Sequence, residues 1–411
     1  MTWTDLLALT ITLAALATYV NRRFLNQPPT IALMAMAIAG SLVVLGLLRW
    51  TPLDTGSVVS LVGAIDFRAV LLDGILPFLL FAGALHVDLR RLRDQRLAII
   101  LLATVGVLLA TIACGALVYA AARLLGANFT FMQALLFGAL IAPTDPIAVI
   151  GILRSAKAPE SLEALMSGES LVNDGVGVVL FVTLSGIVVA GTPVSALHIA
   201  GTFALEAAGG IAFGLLVGWL GYLMLRSVDD YPVEIFVTLA IAAGGYAAAN
   251  ALHMSGPLAI VAAGLVIASV GRRHGMSEVT RGKLDTFWEI VDEMLNAILF
   301  MLVGLEILVV ALDYRHLELA AAAILAVLAS RWVSVAAVLG VAGGRRRFES
   351  GTVAILTWGG LRGGISIALV LSLPSGELRS TLLTMTYAVV VFSMLAQGLT
   401  LKRLVRARVS S

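Results

Sequence analysis

Thirteen long apolar runs, separated by short polar breaks, decide what this chain can become. They fall at about 4–21, 30–48, 70–87, 97–125, 131–153, 160–190, 197–225, 233–252, 256–271, 290–311, 316–342, 351–373 and 380–404. A helix needs about 20 apolar residues to cross a bilayer, and within hydrocarbon each backbone polar group must be satisfied inside the element. The pattern predicts an all-α polytopic membrane protein of about thirteen transmembrane helices, with residues 1–411 forming a single transmembrane domain. Composition agrees. Charged residues make up 13% of the chain and hydrophobic ones 60%, where soluble domains carry about 25% charge. The first run lacks a basic leader and a small-residue cleavage site, so it reads as a retained helix rather than a signal peptide.

Orientation follows from the basic residues. Five, Arg49, Arg68, Arg123, Arg315 and Arg379, fall in breaks after even-numbered runs, whereas twenty lie after odd-numbered runs or at the C-terminus. By the positive-inside rule the N-terminus is outside and the C-terminus cytoplasmic, in the cell's inner membrane. Arg331 and Arg362 are the exceptions, because both lie within runs and need partners. The segment Ser57–Ala69 is too mixed to span and is expected along the outer surface. Ser277–Glu289 interleaves Arg281, Lys283, Asp285 and Glu289 with Leu284, Phe287 and Trp288, the pattern of an amphipathic helix leading into the tenth run. A net charge of +2 does not suggest a nucleic-acid partner. One cysteine, Cys114, and five scattered histidines offer no disulfide framework, metal motif or cofactor motif.

Chemistry concentrates in Gly168-Glu169-Ser170-Leu171-Val172-Asn173-Asp174-Gly175-Val176-Gly177, inside the run 160–190. A charge at that depth costs about 2.5–3.5 kcal/mol on insertion scales. On a helix Glu169 and Asn173 are i,i+4 neighbours, as are Ser170 and Asp174, so the oxygens crowd one side. Gly175 and Gly177 allow another backbone close. A polar helix–helix contact is one reading; a cation or proton site at membrane depth is the other.

Two further runs are interrupted. In Ala142-Pro143-Thr144-Asp145-Pro146 the prolines leave the carbonyls of Ala139 and Ala142 without helical donors, which suits them to ligate a cation. The plainer reading is a proline kink with Asp145 capping the second half-helix. In Trp358-Gly359-Gly360-Leu361-Arg362-Gly363-Gly364 four glycines permit an unwound crossing. Broken helices in both halves of a chain point to a midplane site between inverted repeats. Arg331 is expected to pair with Glu169, and Arg362 to bring positive charge to the crossing. Glu206 and Glu306 read as packing or interfacial acids, Glu306 with a place in an outer funnel as its other reading.

Ala142–Val149, Gly168–Val176 and Gly359–Gly364 together resemble the signatures of the monovalent cation:proton antiporter-1 family, over essentially the whole chain. The resemblance implies a homodimer in which a core bundle of spans four to six and eleven to thirteen moves against a dimerisation bundle. It implies that Asp174 binds cation and proton alternately, that Ser170 and the Thr144 backbone complete the cation shell, and that Asp145 stabilises the crossing. Glu169–Arg331 would be structural, and Asn173 before Asp174 resembles the electroneutral branch. The implied activity is exchange of Na⁺, or Li⁺, for H⁺; K⁺/H⁺ exchange on the same fold is the alternative. No cofactor and no enzymatic activity are implied, and an intramembrane aspartyl protease built on Asp145 and Asp174 lacks the surroundings such a pair needs. One position departs from the family. Archaeal members carry a glutamate in the third span where this chain has Ala82, and Asp73 is about 13 Å away along a helix.

Overall fold

The computed structural model describes residues 3–50, 69–87, 89–190, 196–271, 276–305, 317–343 and 351–409, all helical or irregular with no strand among them. The chain begins with α1 (Trp3–Val20), α2 (Pro29–Trp50), α3 (Leu76–His86), α4 (Leu89–Leu101) and α5 (Val107–Leu124). The broken fifth run forms α6 (Phe131–Leu140) and α7 (Pro146–Ser155), followed by α8 (Glu160–Ala190) and α9 (Ala196–Ser227). Next come α10 (Tyr231–Ala240), α11 (Tyr246–Ala251), α12 (Gly256–Val266), α13 (Glu278–Leu305) and α14 (Leu317–Ala342). The twelfth run is broken into α15 (Thr352–Trp358) and α16 (Gly364–Leu371), and α17 (Glu377–Phe392) and α18 (Gly398–Val409) close the chain. Several joins are wider π-helical turns, including Leu102–Gly106 between α4 and α5 and Ser393–Gln397 between α17 and α18. Such turns redirect side chains without ending a helix.

Among the described residues seven helical stretches are long and apolar enough to cross a membrane. The number is eight if Ala8–Leu25 and Pro29–Val44, bent by 112°, count as one span. Thirteen runs of sequence are therefore not thirteen unbroken spans, for physical reasons visible in the chain. Pro143 and Pro146 split the fifth, glycines split the twelfth, and the ninth is a shorter helix, Gly256–Gly271. The amphipathic segment beginning at Ser277 does not stand apart from the tenth run. It opens α13 itself, with Leu284 and Trp288 buried and Arg281 and Lys283 exposed. Trp288 is held by its Nε1, which donates to Thr238 Oγ1 at 3.1 Å, and by Phe81, ring to ring at 4.8 Å. The segment at 57–68 and Glu306 lie outside the described residues.

Two packing groups position the site. In one, α6 and α8 pack with α5, which also carries α14, and α14 runs beside α15 and α17. In the other, α12 joins α9 to α3, while α13 packs on α1, α2 and α3. The α8 helix belongs to the first group and also touches α9 and α12, so its polar face sits where the groups meet. Gly175 and Gly177 make that closeness possible. A Cβ on Gly175 would lie 2.5 Å from Leu258 Cδ2, and one on Gly177 2.9 Å from Pro143 Cγ. Gly177→Val is accordingly expected to push α8 off the Pro143 turn, with a loss of about 1–3 kcal/mol; a melting temperature equal to the parent's would refute that packing.

Candidate functional site

The two interrupted helices cross. Thr130 starts α6 with a capping box, its side chain accepting from Gln133 N and its amide donating to Gln133 Oε1. That helix stops at Ile141, and Asp145 restarts the chain as N-cap of α7, accepting from Ile147 N at 2.9 Å. The plainer reading, Asp145 as the cap of the second half-helix, describes this geometry. The Asp145 amide donates to Leu361 O at 2.8 Å, a backbone bond between the two unwound segments. Gly363 lies against the same side chain; a Cβ there would be 3.1 Å from Asp145 Cβ. A negative side chain therefore stands where α7 and α16 both begin, at the positive ends of their dipoles.

Arg362 serves the opposite ends. Its Nη1 donates to Ala142 O and, at 3.1 Å, to Pro143 O, while its amide donates to Ser393 Oγ at 2.8 Å. The expectation that proline frees the Ala139 and Ala142 carbonyls for a cation is corrected here. Ala142 O is occupied by the guanidinium, and Ala139 O accepts from Ala142 N at 3.2 Å. A fixed cation of the protein does the work that an ion was expected to do.

Glu169 and Arg331 form a bidentate pair at 2.8 and 2.7 Å, both buried. Asn173 ties this pair to the crossing. Its Nδ2 donates to Glu169 Oε1 at 2.7 Å and to Thr144 Oγ1 at 2.8 Å, and its Oδ1 lies 3.4 Å from Thr144 N. Ser170, one turn before Asp174, donates its hydroxyl to Thr144 O and lies 3.0 Å from Thr144 Oγ1. Asp174 stands at the end of this network, 5% exposed, facing the Thr144 amide, with no hydrogen-bond partner on its Oδ1. A cavity of about 10 Å³, room for about one water, opens between Thr144, Asp145, Ser170, Glu169 and Arg331. Among the described residues no cluster of three or more His, Cys, Asp or Glu is arranged to hold a metal. Oxygens gather at Thr144 instead: its own hydroxyl and carbonyl meet the Ser170 hydroxyl, and Asp174 lies against its amide.

The third helix adds nothing polar. Ala82 is fully buried on α3, which packs on α12, and Asp73 is exposed. Glu206 is half-buried on α9 near His253. Two contributors went unread in the sequence. Ser393 gains its role only from the π-helical turn that aims it at the Arg362 amide. Asp292, half-buried on α13, is close enough to Asp145 for their charges to interact, and Asn296 Nδ2 donates to its carbonyl at 2.8 Å and its Oδ1 at 3.2 Å. An acid inside the apolar run 290–311 was the available signal, and it was passed over because Asp292 lies at the edge of that run, next to the amphipathic segment Ser277–Glu289.

Comparison with known proteins decides the family. The model of the sodium/hydrogen exchanger transmembrane family matches residues 10–407. The chain belongs to that family. It is 48% identical to the Na⁺/H⁺ antiporter NhaP of Pseudomonas aeruginosa over 98% of this chain and 96% of that one. It is 34% identical to the Na⁺/H⁺ antiporter NhaH of Halobacillus dabanensis, again over 98% and 96%. In fold it matches the sodium proton antiporter MjNhaP1 from Methanocaldococcus jannaschii with a TM-score of 0.75 at 16% identity, covering 99% of each chain. Sodium/hydrogen exchangers are multi-pass transporters, and this family member shares their fold.

Proposed function

We propose that this exchanger exchanges Na⁺ for H⁺ across the cytoplasmic membrane, one for one, by alternating access around Asp174. The observation that carries the reading is the unpartnered Oδ1 of a nearly buried Asp174 that faces the Thr144 amide, one helical turn after Ser170. Glu169 is held by Arg331 and Asp145 caps α7 through its Oδ1, so Asp174 is the acid assigned here to alternate between a proton and a cation, which makes the cycle electroneutral. Membership of the family and the names of the relatives support sodium as the ion; the potassium alternative has no comparable support. A homodimer, an external N-terminus and a cytoplasmic C-terminus belong to the same proposal, as does a role in pH homeostasis.

The test is sodium-dependent proton flux in proteoliposomes, repeated with Li⁺ and K⁺. One net charge moved across 100 mV is worth about 2.3 kcal/mol, so a one-for-one cycle keeps its initial rate when the potential is clamped or collapsed. Competition at Asp174 requires the apparent sodium affinity to weaken about tenfold per pH unit once the carboxylate is mostly protonated. A steep voltage dependence, or an affinity indifferent to pH, would sink the single-carboxylate mechanism.

Asp292 extends the proposal to the route of entry. It sits on α13 between the exposed Glu289 and Glu293 and the buried crossing, where a negative charge draws cations towards Asp145. Asp292→Asn is expected to raise the apparent cation KM about fivefold from one membrane face, with Asp292→Glu restoring it. Equal changes from both faces in oriented vesicles would reduce Asp292 to a structural residue.

A further inference from the structure

Alternating access at Asp174 needs the two packing groups to shift against each other, since α8 belongs to one and is covered by α9 and α12 of the other. What joins the groups therefore bears on the cycle. Two further helices belong with the first group: α16 packs on α17, and α18 follows α17 through the Ser393–Gln397 turn. Close contacts across the seam are apolar and centre on glycines. A Cβ on Gly175 of α8 would lie 2.5 Å from Leu258 Cδ2 of α12, and one on Gly364 of α16 2.5 Å from Leu299 Cδ1 of α13. On α18, a Cβ on Gly398 would lie 2.6 Å from Ile31 Cδ1 of α2. Apolar contact is non-directional, so a shift exchanges one such neighbour for another without breaking a bond.

Tyr387 is different. It lies on α17, is 2% exposed, and donates its hydroxyl to the Val303 carbonyl of α13. That bond joins residues 84 apart and crosses from one group to the other. The tertiary side-chain bonds described above stay on one side: those of Thr144, Glu169, Arg331 and Arg362 inside the first group, that of Trp288 inside the second. The acceptor is itself anchored. The next carbonyl, Gly304 O, accepts from Ser41 Oγ of α2 at 3.1 Å, and a Cβ on Gly304 would fall 2.2 Å from Ala37 Cβ. Adjacent carbonyls of α13 are thus held by different groups, one by α2 and the other by α17. Val303 cannot follow Tyr387 without carrying α2 along, so a shift opens the Tyr387 bond and leaves the Ser41 bond closed.

We propose that Tyr387 is a latch between the two packing groups: its bond to Val303 holds the arrangement described here and opens when Asp174 turns to the other side. The latch rests on the alternating-access reading. Tyr387 is a positioning residue, acting through the alignment of the helices rather than at the ion. A hydrogen bond of ordinary net strength biases the two arrangements about two- to tenfold.

Tyr387→Phe keeps the ring and removes the hydroxyl. Spin labels at Val279→Cys on α13 and Val341→Cys on α14, both exposed, report the distance between the groups, and buried Cys114 stays out of reach of the label. Labelled full chain, diluted with unlabelled chain, should show two distances. Tyr387→Phe should lower the population of the present arrangement relative to the second about two- to tenfold. Ser41→Ala loses a bond to the neighbouring carbonyl within one group; it should leave the ratio unchanged, whatever its melting temperature. In oriented vesicles Tyr387→Phe should raise the apparent sodium KM from one face and lower it from the other, because apparent affinity follows the fraction of competent protein. An unchanged ratio, a single distance in both proteins, or an equal effect of Ser41→Ala would overturn the latch. KM changes of one sign from both faces would do the same. A parent without sodium-dependent proton flux would instead overturn the exchange reading, and the distance ratio would still decide the latch.

Discussion

Asp174→Asn is expected to abolish cation–proton exchange while the protein still inserts and folds. The amide has nearly the shape of the carboxylate and keeps an acceptor towards the Thr144 amide, so the helices around it need not move. What it loses is charge and the ability to exchange a proton. Interactions with a charged group are worth about 1.5–3 kcal/mol, so cation binding alone should fall about ten- to a hundredfold, and the proton leg of the cycle disappears. Asp145→Asn provides the contrast. An amide oxygen still accepts from Ile147 N, and asparagine is as good an N-cap as aspartate; that variant should retain the crossing and show a slower cycle rather than none. The measurements are sodium-dependent proton flux in proteoliposomes and thermal melting of each variant. Parent-like flux through Asp174→Asn would remove Asp174 from the centre of the mechanism.

The features that a one-dimensional pattern encodes were legible before any coordinates. Apolar run length gives the helical class and individual long helices, as where α8 covers the run 160–190 from Glu160 to Ala190, but not the number of unbroken spans. Proline and glycine placement gives both breaks, at 141–145 and 359–363. The cost of a buried arginine draws attention to Arg331 and Arg362, but the two are satisfied in different ways. Glu169 is a side chain within one motif, so a partner of opposite charge could be nominated. The Ala142 carbonyl is a backbone group made available by Pro146, and several claimants could reach it; that Arg362 takes it depends on how two broken helices cross. Ser393 was hidden for a similar reason, since a π-helical turn shifts side-chain direction without changing composition. Asp292 was hidden by its neighbours, because hydrophobic periodicity assigns an acid near a run's edge to the exposed face. The central link of the network, Asn173, shows the same limit. Its i,i+4 relation to Glu169 follows from helical spacing, whereas its hold on Thr144 joins residues 29 apart and is purely tertiary.

Removing one member of the Glu169–Arg331 pair should be the most destabilising single change at the site. The two side chains share two short bonds at 2.8 and 2.7 Å and are almost fully removed from solvent. Arg331→Ala leaves Glu169 charged and buried with Asn173 Nδ2 as its remaining side-chain donor, a loss of about 3–5 kcal/mol. Arg331→Lys is not a conservative repair, because one ammonium cannot match both carboxylate oxygens as a planar fork does. The empty volume also matters: Gly360 packs against the guanidinium so closely that a Cβ there would sit 2.9 Å from Arg331 Nε. Replacing both partners, Glu169→Leu with Arg331→Met, removes the uncompensated charge and should recover part of the stability. Exchange need not return with it, because Asn173 would lose its Glu169 acceptor and its grip on Thr144 would loosen. Thermal melting and membrane yield of the parent, the two single variants and the double variant form the cycle that decides. Coupling of about 1–3 kcal/mol between the sites is expected for groups in one network. Strict additivity would mean that each residue stabilises the fold independently of the other, and the ion pair would then contribute nothing of its own.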